Sequence, residues 1–188
     1  MRILKAQNYR RMPWKNGKGT TSEVLIEPPG AGLEAFDWRV SLAQVVEDGA
    51  FSSFPDIDRS LAVLVGGPLD LSVAADGPVR LVAGGAALPF AADVPCQATL
   101  AGPPVVDLNV MTRRSRAWHR LTAVSVGTVT ATAPVALLVA QSATLCGVAD
   151  GGAFELEAED TALLEGAACR ILEGRGYLVE IGASTISR

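Results

Sequence analysis

The chain has 188 residues, 49% hydrophobic and 19% charged, with 16 Lys and Arg against 20 Asp and Glu and a formal net charge of −4. That length buries a substantial core, as one domain or as two fused lobes, and the composition is globular rather than disordered. Mixed-sign charge without a basic patch excludes nucleic acid as a partner, and runs such as "APVALLVA" are far too short for a membrane span.

The N-terminal "MRILKAQNYRRMPW" starts with charge but has no apolar segment or small-residue cleavage site, so the expectation is a cytoplasmic protein without a signal peptide. "PWKNGKGTT", residues 13–21, follows. Its glycines, Gly17 and Gly19, permit positive φ and close approach of backbone N–H groups to a ligand. Lys15, Asn16, Thr20 and Thr21 can donate hydrogen bonds to a carboxylate. The same stretch also reads as a glycine-containing turn with Trp14 plugging a barrel end. No strand-then-helix context makes it a phosphate or dinucleotide fingerprint.

After "SEVLIEP" comes "FDWRVSLAQV", whose alternation sets Phe36, Trp38 and Val40 on one face and Asp37, Arg39 and Ser41 on the other. Arg39 is a candidate carboxylate clamp, or one half of an ordinary cross-strand ion pair. "FSSFPDIDRSL" puts Phe51 and Phe54 at the core and Arg59 as a second cation for a ligand, with Asp58 holding it. "LAVLVGG", "LDLSVA", "VRLVAG" and "QATLAG" lead to "VVDLNVMT", in which Asp107, Asn109 and Met111 share one face. Polar residues on an inward face must be hydrogen-bonded or line a polar pocket, so Asn109 joins the candidates.

"TRRSR" reads as a solvated linker, and "SRAWHRLTAV" holds the one trace of a helical stripe. "AVSVGTVTAT", "VALLVAQ", "FELEAE", "TALLEG" and "YLVEIG" complete the β-type runs. Alternation and a spacing of about 8–12 residues predict a mainly β sandwich or barrel. Residues 63–90 lie beside residues 137–166 as two copies of one unit, each with an apolar entry strand and an "AADG" or "VADGG" turn. Asp-Gly turns are common between any hairpin strands, which keeps convergence as the alternative. A lobe over 1–115 that carries the motifs and a supporting lobe over 116–188 are expected, the two packing as one structural unit.

Cys96, Cys146 and Cys169 show no CxxC spacing and read as small buried hydrophobes. His119 is the single histidine, so the several imidazole ligands of a transition-metal site are missing and a metal-free, cofactor-free protein is expected. There is no GxSxG elbow, and no Cys has a His nearby in sequence.

The blocks Pro13–Thr21, Phe36–Ser41, Asp48–Pro55 with Asp58 and Arg59, and Asp107–Met111 together resemble the HutD/Ves family of bacterial cupin-like proteins associated with histidine utilization. The resemblance covers roughly residues 5–115. It implies an RmlC-like jelly roll with two cupin lobes, and a pocket for a small anionic intermediate such as formylglutamate or urocanate. It also implies a regulatory role without an established reaction. On this reading the ligand-binding candidates are Lys15, Asn16, Gly17, Gly19, Thr20, Thr21, Arg39, Ser41, Asp58, Arg59 and Asn109, with Trp14 and Phe51 as apolar walls. Two alternatives stay open: a cofactor-free isomerase or lyase using Asp37 or Asp107 as base, and a protein-interaction module with an exposed apolar patch. The sequence also leaves open whether the protein forms a homodimer.

Overall fold

The computed structural model describes residues 1–14, 19–149, 151–166 and 168–184. Apart from one 3-10 turn at Ala6–Asn8, their regular structure is all strand. They divide into two compact units, one of Arg10–Trp118 with the chain from Ala183 on, the other of Met1–Tyr9 with His119–Gly182. The first nine residues thus stand with the second unit rather than with the expected 1–115 lobe. The cause is β1 (Arg2–Leu4), which pairs antiparallel with Thr161–Leu163. Lys5 Nζ meets Asp160 Oδ2 at 2.8 Å, and the Tyr9 hydroxyl lies 2.9 Å from both the Glu159 carbonyl and Thr161 Oγ1.

The unit Arg10–Trp118 contains β2 (Arg10–Pro13), β3 (Gly19–Glu27), β4 (Trp38–Val45), β5 (Gly49–Ala50) and β6 (Ile57–Val65). It continues with β7 (Leu69–Val73), β8 (Val79–Leu81), β9 (Leu88–Ala91), β10 (Cys96–Leu100) and β11 (Val105–Arg113). They form a six-stranded sheet, β2-β3-β4-β11-β6-β9, and a four-stranded sheet, β5-β10-β7-β8. Val45, Leu61, Val63 and Val105 from the first pack with Leu69, Leu71, Leu81, Cys96 and Ala98 from the second, so the core lies between two facing sheets. The middle of β6 is buried on both faces, which is why "LAVLV" is a continuous apolar run rather than an alternating one.

The other unit contains β12 (Ala117–Val129), β13 (Val135–Ala140), β14 (Thr144–Val148), β15 (Ala153–Leu156), β16 (Thr161–Leu163) and β17 (Cys169–Ala183). One sheet runs β1-β16-β13-β17-β14-β15, with β12 also on β17. Its core is built from Ala136, Leu138, Ala140, Cys146, Leu156, Ala162, Leu164 and Ile171 among others. All three cysteines are free and buried.

The two units repeat one pairing pattern. β6 sits between β9 and β11, and β7 between β8 and β10; likewise β13 sits between β16 and the C-terminal half of β17, and β14 between β15 and its N-terminal half. Where β10 and β11 are separate strands, β17 runs through as one. It turns at Gly174, whose φ of 91° and lack of room against the Ala143 carbonyl admit no side chain.

"SRAWHRLTAV" is no helix but the start of β12. Trp118, Arg120 and Thr122 are exposed and alternate with the half-buried His119 and Leu121, a two-residue period strengthened downstream by β-branched residues and by pairing with β17. "TRRSR" also belongs partly to a strand, since Thr112 and Arg113 end β11. The strands β1, β2, β5, β9 and β14, of two to five residues, are too short for alternation to reveal them. No helix among the described residues is long and apolar enough to cross a membrane.

Candidate functional site

β3, β4, β11 and β6 bring the sequence candidates together through their register. Asn109 pairs with Ser41 on one side and Leu61 on the other, Met111 with Arg39 and Arg59, and Asp107 with Ala43 and Val63. On β3, Glu23 pairs with Ser41 and Thr21 with Ala43. Directly paired residues share a sheet face. Glu23, Arg39, Ser41, Arg59, Asp107 and Asn109 therefore lie on the face of Val45, Leu61 and Val63, turned toward the core between the sheets. Arg39, Ser41, Arg59, Asp107 and Asn109 are all buried.

Two hydrogen-bonded systems occupy this face. In the first, Arg59 donates to Asn109 Oδ1 through Nε at 2.8 Å and through Nη2, and Asn109 Nδ2 donates to Asp107 Oδ1. This chain fixes the orientation of the amide, because the reverse would aim its donors at a guanidinium and its acceptor at a carboxylate. The Arg59 guanidinium carbon stands 4.6 Å from the Phe51 ring centroid and 5.6 Å from that of Phe90, in cation–π contact with both. In the second, Glu23 receives Arg39 Nε at 3.0 Å and Arg10 Nη2 at 3.0 Å.

Their electrostatics differ. Glu23 is held directly by two guanidinia, whereas Arg59 has no carboxylate in ion-pair contact among the described residues and bonds only a neutral amide. Burial lowers the pKa of Arg59, with the Asp107 charge opposing. Asp107 is fully buried, and its Oδ2 has no hydrogen-bond partner. Burial pushes its carboxyl up to about 6, against the Arg59 charge, the Asn109 amide and the Ala43 backbone.

Trp14 packs against the same core and donates through Nε1 to Thr21 Oγ1 at 2.8 Å, so Thr21 is already engaged by the protein. Thr20, one step along β3, takes the opposite face. Gly19 does not have positive φ: it is part of extended β3, where a Cβ would strike the Gln44 carbonyl and sit 3.0 Å from the Trp14 ring. Its role is close packing. Phe51 is the ring under Arg59.

Asp58 does not hold Arg59. It immediately precedes Arg59 on β6, on the other face, and it accepts from Arg114 Nε at 2.6 Å. Asp37 precedes β4, with Oδ1 4.0 Å from Arg116 Nε, outside the inner-face group. Lys15, Asn16 and Gly17 lie outside the described residues. Glu23 and Phe90 were missed by sequence reading. Glu23 was legible in its alternation with Thr21, whereas Phe90 lies on a four-residue strand with no pattern.

The same face of the second unit is furnished differently. Leu178 pairs with Leu138 and Glu180 with Ala136, and Glu180 is fully engaged by Arg120 Nε at 2.9 Å, Thr132 N at 2.7 Å and Thr132 Oγ1 at 2.8 Å. Among the described residues no three His, Cys, Asp or Glu converge as metal ligands.

A family model described as HutD matches residues 6–179. An uncharacterized 21.2 kDa protein from the hutC 3′ region of Pseudomonas putida is 38% identical over 122 residues, 64% of this chain and 63% of that one. The chain thus spans less than two-thirds of that curated relative's length. A conserved protein of unknown function from Pseudomonas aeruginosa has a similar structure, with TM-score 0.84 and 33% identity over 96% of this chain and 98% of that one. The structure of HutD from Pseudomonas fluorescens, in a formate condition, gives TM-score 0.82 and 29% identity over 97% and 98%. A cupin 2 conserved barrel protein from Leptotrichia buccalis, 10% identical with TM-score 0.56 over 93% and 96%, shares the fold alone. The architecture is the expected cupin-type jelly roll.

Proposed function

The chain belongs to the HutD family, and from that membership we propose that it is a cytoplasmic binding protein for a small carboxylate metabolite, formylglutamate or urocanate, that regulates histidine utilization. The observation that carries this reading is Arg59: a buried guanidinium in cation–π contact with two rings, bonded to an amide and not to a carboxylate, on the same face as Arg39. A buried cation without a directly paired anion is a ready partner for a ligand carboxylate, and desolvation strengthens that bond. Phe51 and Phe90 pack against the guanidinium, Asn109 fixes its rotation through two hydrogen bonds, and Ser41 adds a buried hydroxyl on the same face. The name of the Pseudomonas putida relative, which places it beside hutC, supports the pathway assignment.

Calorimetric titration with formylglutamate, urocanate, histidine and glutamate tests the reading, with Arg39→Ala and Arg59→Ala as controls and a product assay on the same mixtures. Saturable binding lost in both variants, without product, is the expected result. No binding by any of the four refutes it. Product formation favours the cofactor-free enzyme, for which the Asp107 carboxyl, near neutrality, is the available base.

A further inference from the structure

We propose that an anion captured at Arg59 and Arg39 brings a proton onto Asp107, so that binding at this site is coupled to proton uptake. The inference rests on the anion-binding reading above and adds its regulation by pH.

The argument is one of charge placement. Among the described residues the buried charges of the inner face are two cations, Arg39 and Arg59, and two carboxylates, Glu23 and Asp107, while Arg10, which also contacts Glu23, stays largely in solvent. Before ligand arrives these charges balance. A bound carboxylate adds one negative charge to a buried, low-dielectric space, where an uncompensated charge costs far more than in water. The least costly response is to neutralise one resident carboxylate.

Glu23 is already paired with two guanidinia, Arg39 and Arg10, each at 3.0 Å. Asp107 is the opposite case. Its side-chain hydrogen bond comes from the neutral Asn109 amide on its own strand, beside the Ala43 backbone, its Oδ2 is buried with no partner, and Arg59 bonds Asn109 rather than the carboxylate itself. A ligand anion on Arg59 takes up the one cation that compensates it. The charged and polar groups on its face are Arg39 and Ser41 from β4, Arg59 from β6 and Glu23 from β3, with Cys96 of β10 near Arg59. The thiol of Cys96 is pushed up by burial and stays neutral. The proton comes from solvent and forms Oδ2–H; no other bond changes. Burial already holds Asp107 close to the point of protonation without ligand.

The test uses N-formyl-L-glutamate, whose carboxyls are fully ionised at pH 7. Titration calorimetry at pH 7 in phosphate and in Tris, which differ in ionisation enthalpy, reads the protons taken up. The expected result is an uptake of about one proton per anion bound, with affinity rising about tenfold for each unit the pH falls between 8 and 7 and levelling off below 6. Asp107→Asn, which keeps the side-chain shape, is expected to bind without uptake and without that pH dependence. Binding by the unaltered protein with no buffer-dependent heat overturns the coupling and leaves the ligand site standing, as does equal uptake in Asp107→Asn. Absence of any binding overturns both.

Discussion

Replacing Asp107 by Asn is expected to stabilise the protein at neutral pH. Burial raises the Asp107 carboxyl from its ordinary value of 3.8 to about 6 in the folded chain. Between those two values the native state holds a proton that the unfolded state has released, so stability falls as pH rises through the folded pKa. A shift of roughly two units corresponds to about 3 kcal/mol of stability present at acid pH and lost by pH 7.5. An asparagine has no charge to desolvate, but it leaves a buried N–H where Oδ2 stands, a loss of about 1 kcal/mol. The net expectation is a gain of about 1–2 kcal/mol at pH 7.5, or about 2–8 °C in Tm, that vanishes or reverses by pH 4.5. Urea unfolding of both proteins at pH 4.5, 6 and 7.5 measures it, and groups common to both cancel in the difference. A variant less stable than the parent at pH 7.5, or a difference that does not move with pH, would refute the reasoning.

Arg59→Gln removes the cation opposite Asp107 and is expected to cost about 3–5 kcal/mol along with anion binding. Arg39→Gln should lose binding with a smaller drop in Tm, because Arg10 still holds Glu23. Gly19→Ala drives a methyl into the Gln44 carbonyl and the Trp14 ring; a loss of about 1–3 kcal/mol is expected in thermal melts, and an unchanged Tm would show that β3 and β4 can separate there freely. Burial raises the Glu180 carboxyl, but the Thr132 backbone, Arg120 and the Thr132 hydroxyl hold it below its ordinary value. Glu180→Gln should therefore cost about 1–3 kcal/mol at pH 7, with the penalty shrinking as the pH falls through the folded pKa, measured as the Tm difference against pH.

The sequence by itself determined the β class and the faces of the longer strands. Alternation is a property of a strand taken alone, and the placing of Arg39 with Ser41, and of Asp107 with Asn109, follows from the two-residue period. The paired turns of residues 63–90 and 137–166 likewise reported the pairing pattern that the two units share, since each copy needs the same short connections. Partnerships were beyond its reach. Arg59 and Asn109 are 50 positions apart, and only the register of β6 on β11 makes the guanidinium meet the amide. Asp58, adjacent to Arg59 in sequence, turns away to Arg114 because neighbours on a strand point to opposite faces. β1 joins a strand about 160 residues distant, and β17 stays continuous where β10 and β11 part. These outcomes depend on which distant backbone edges are free to pair and which side chains find room, and that is decided by packing of the whole chain rather than by any local run of residues.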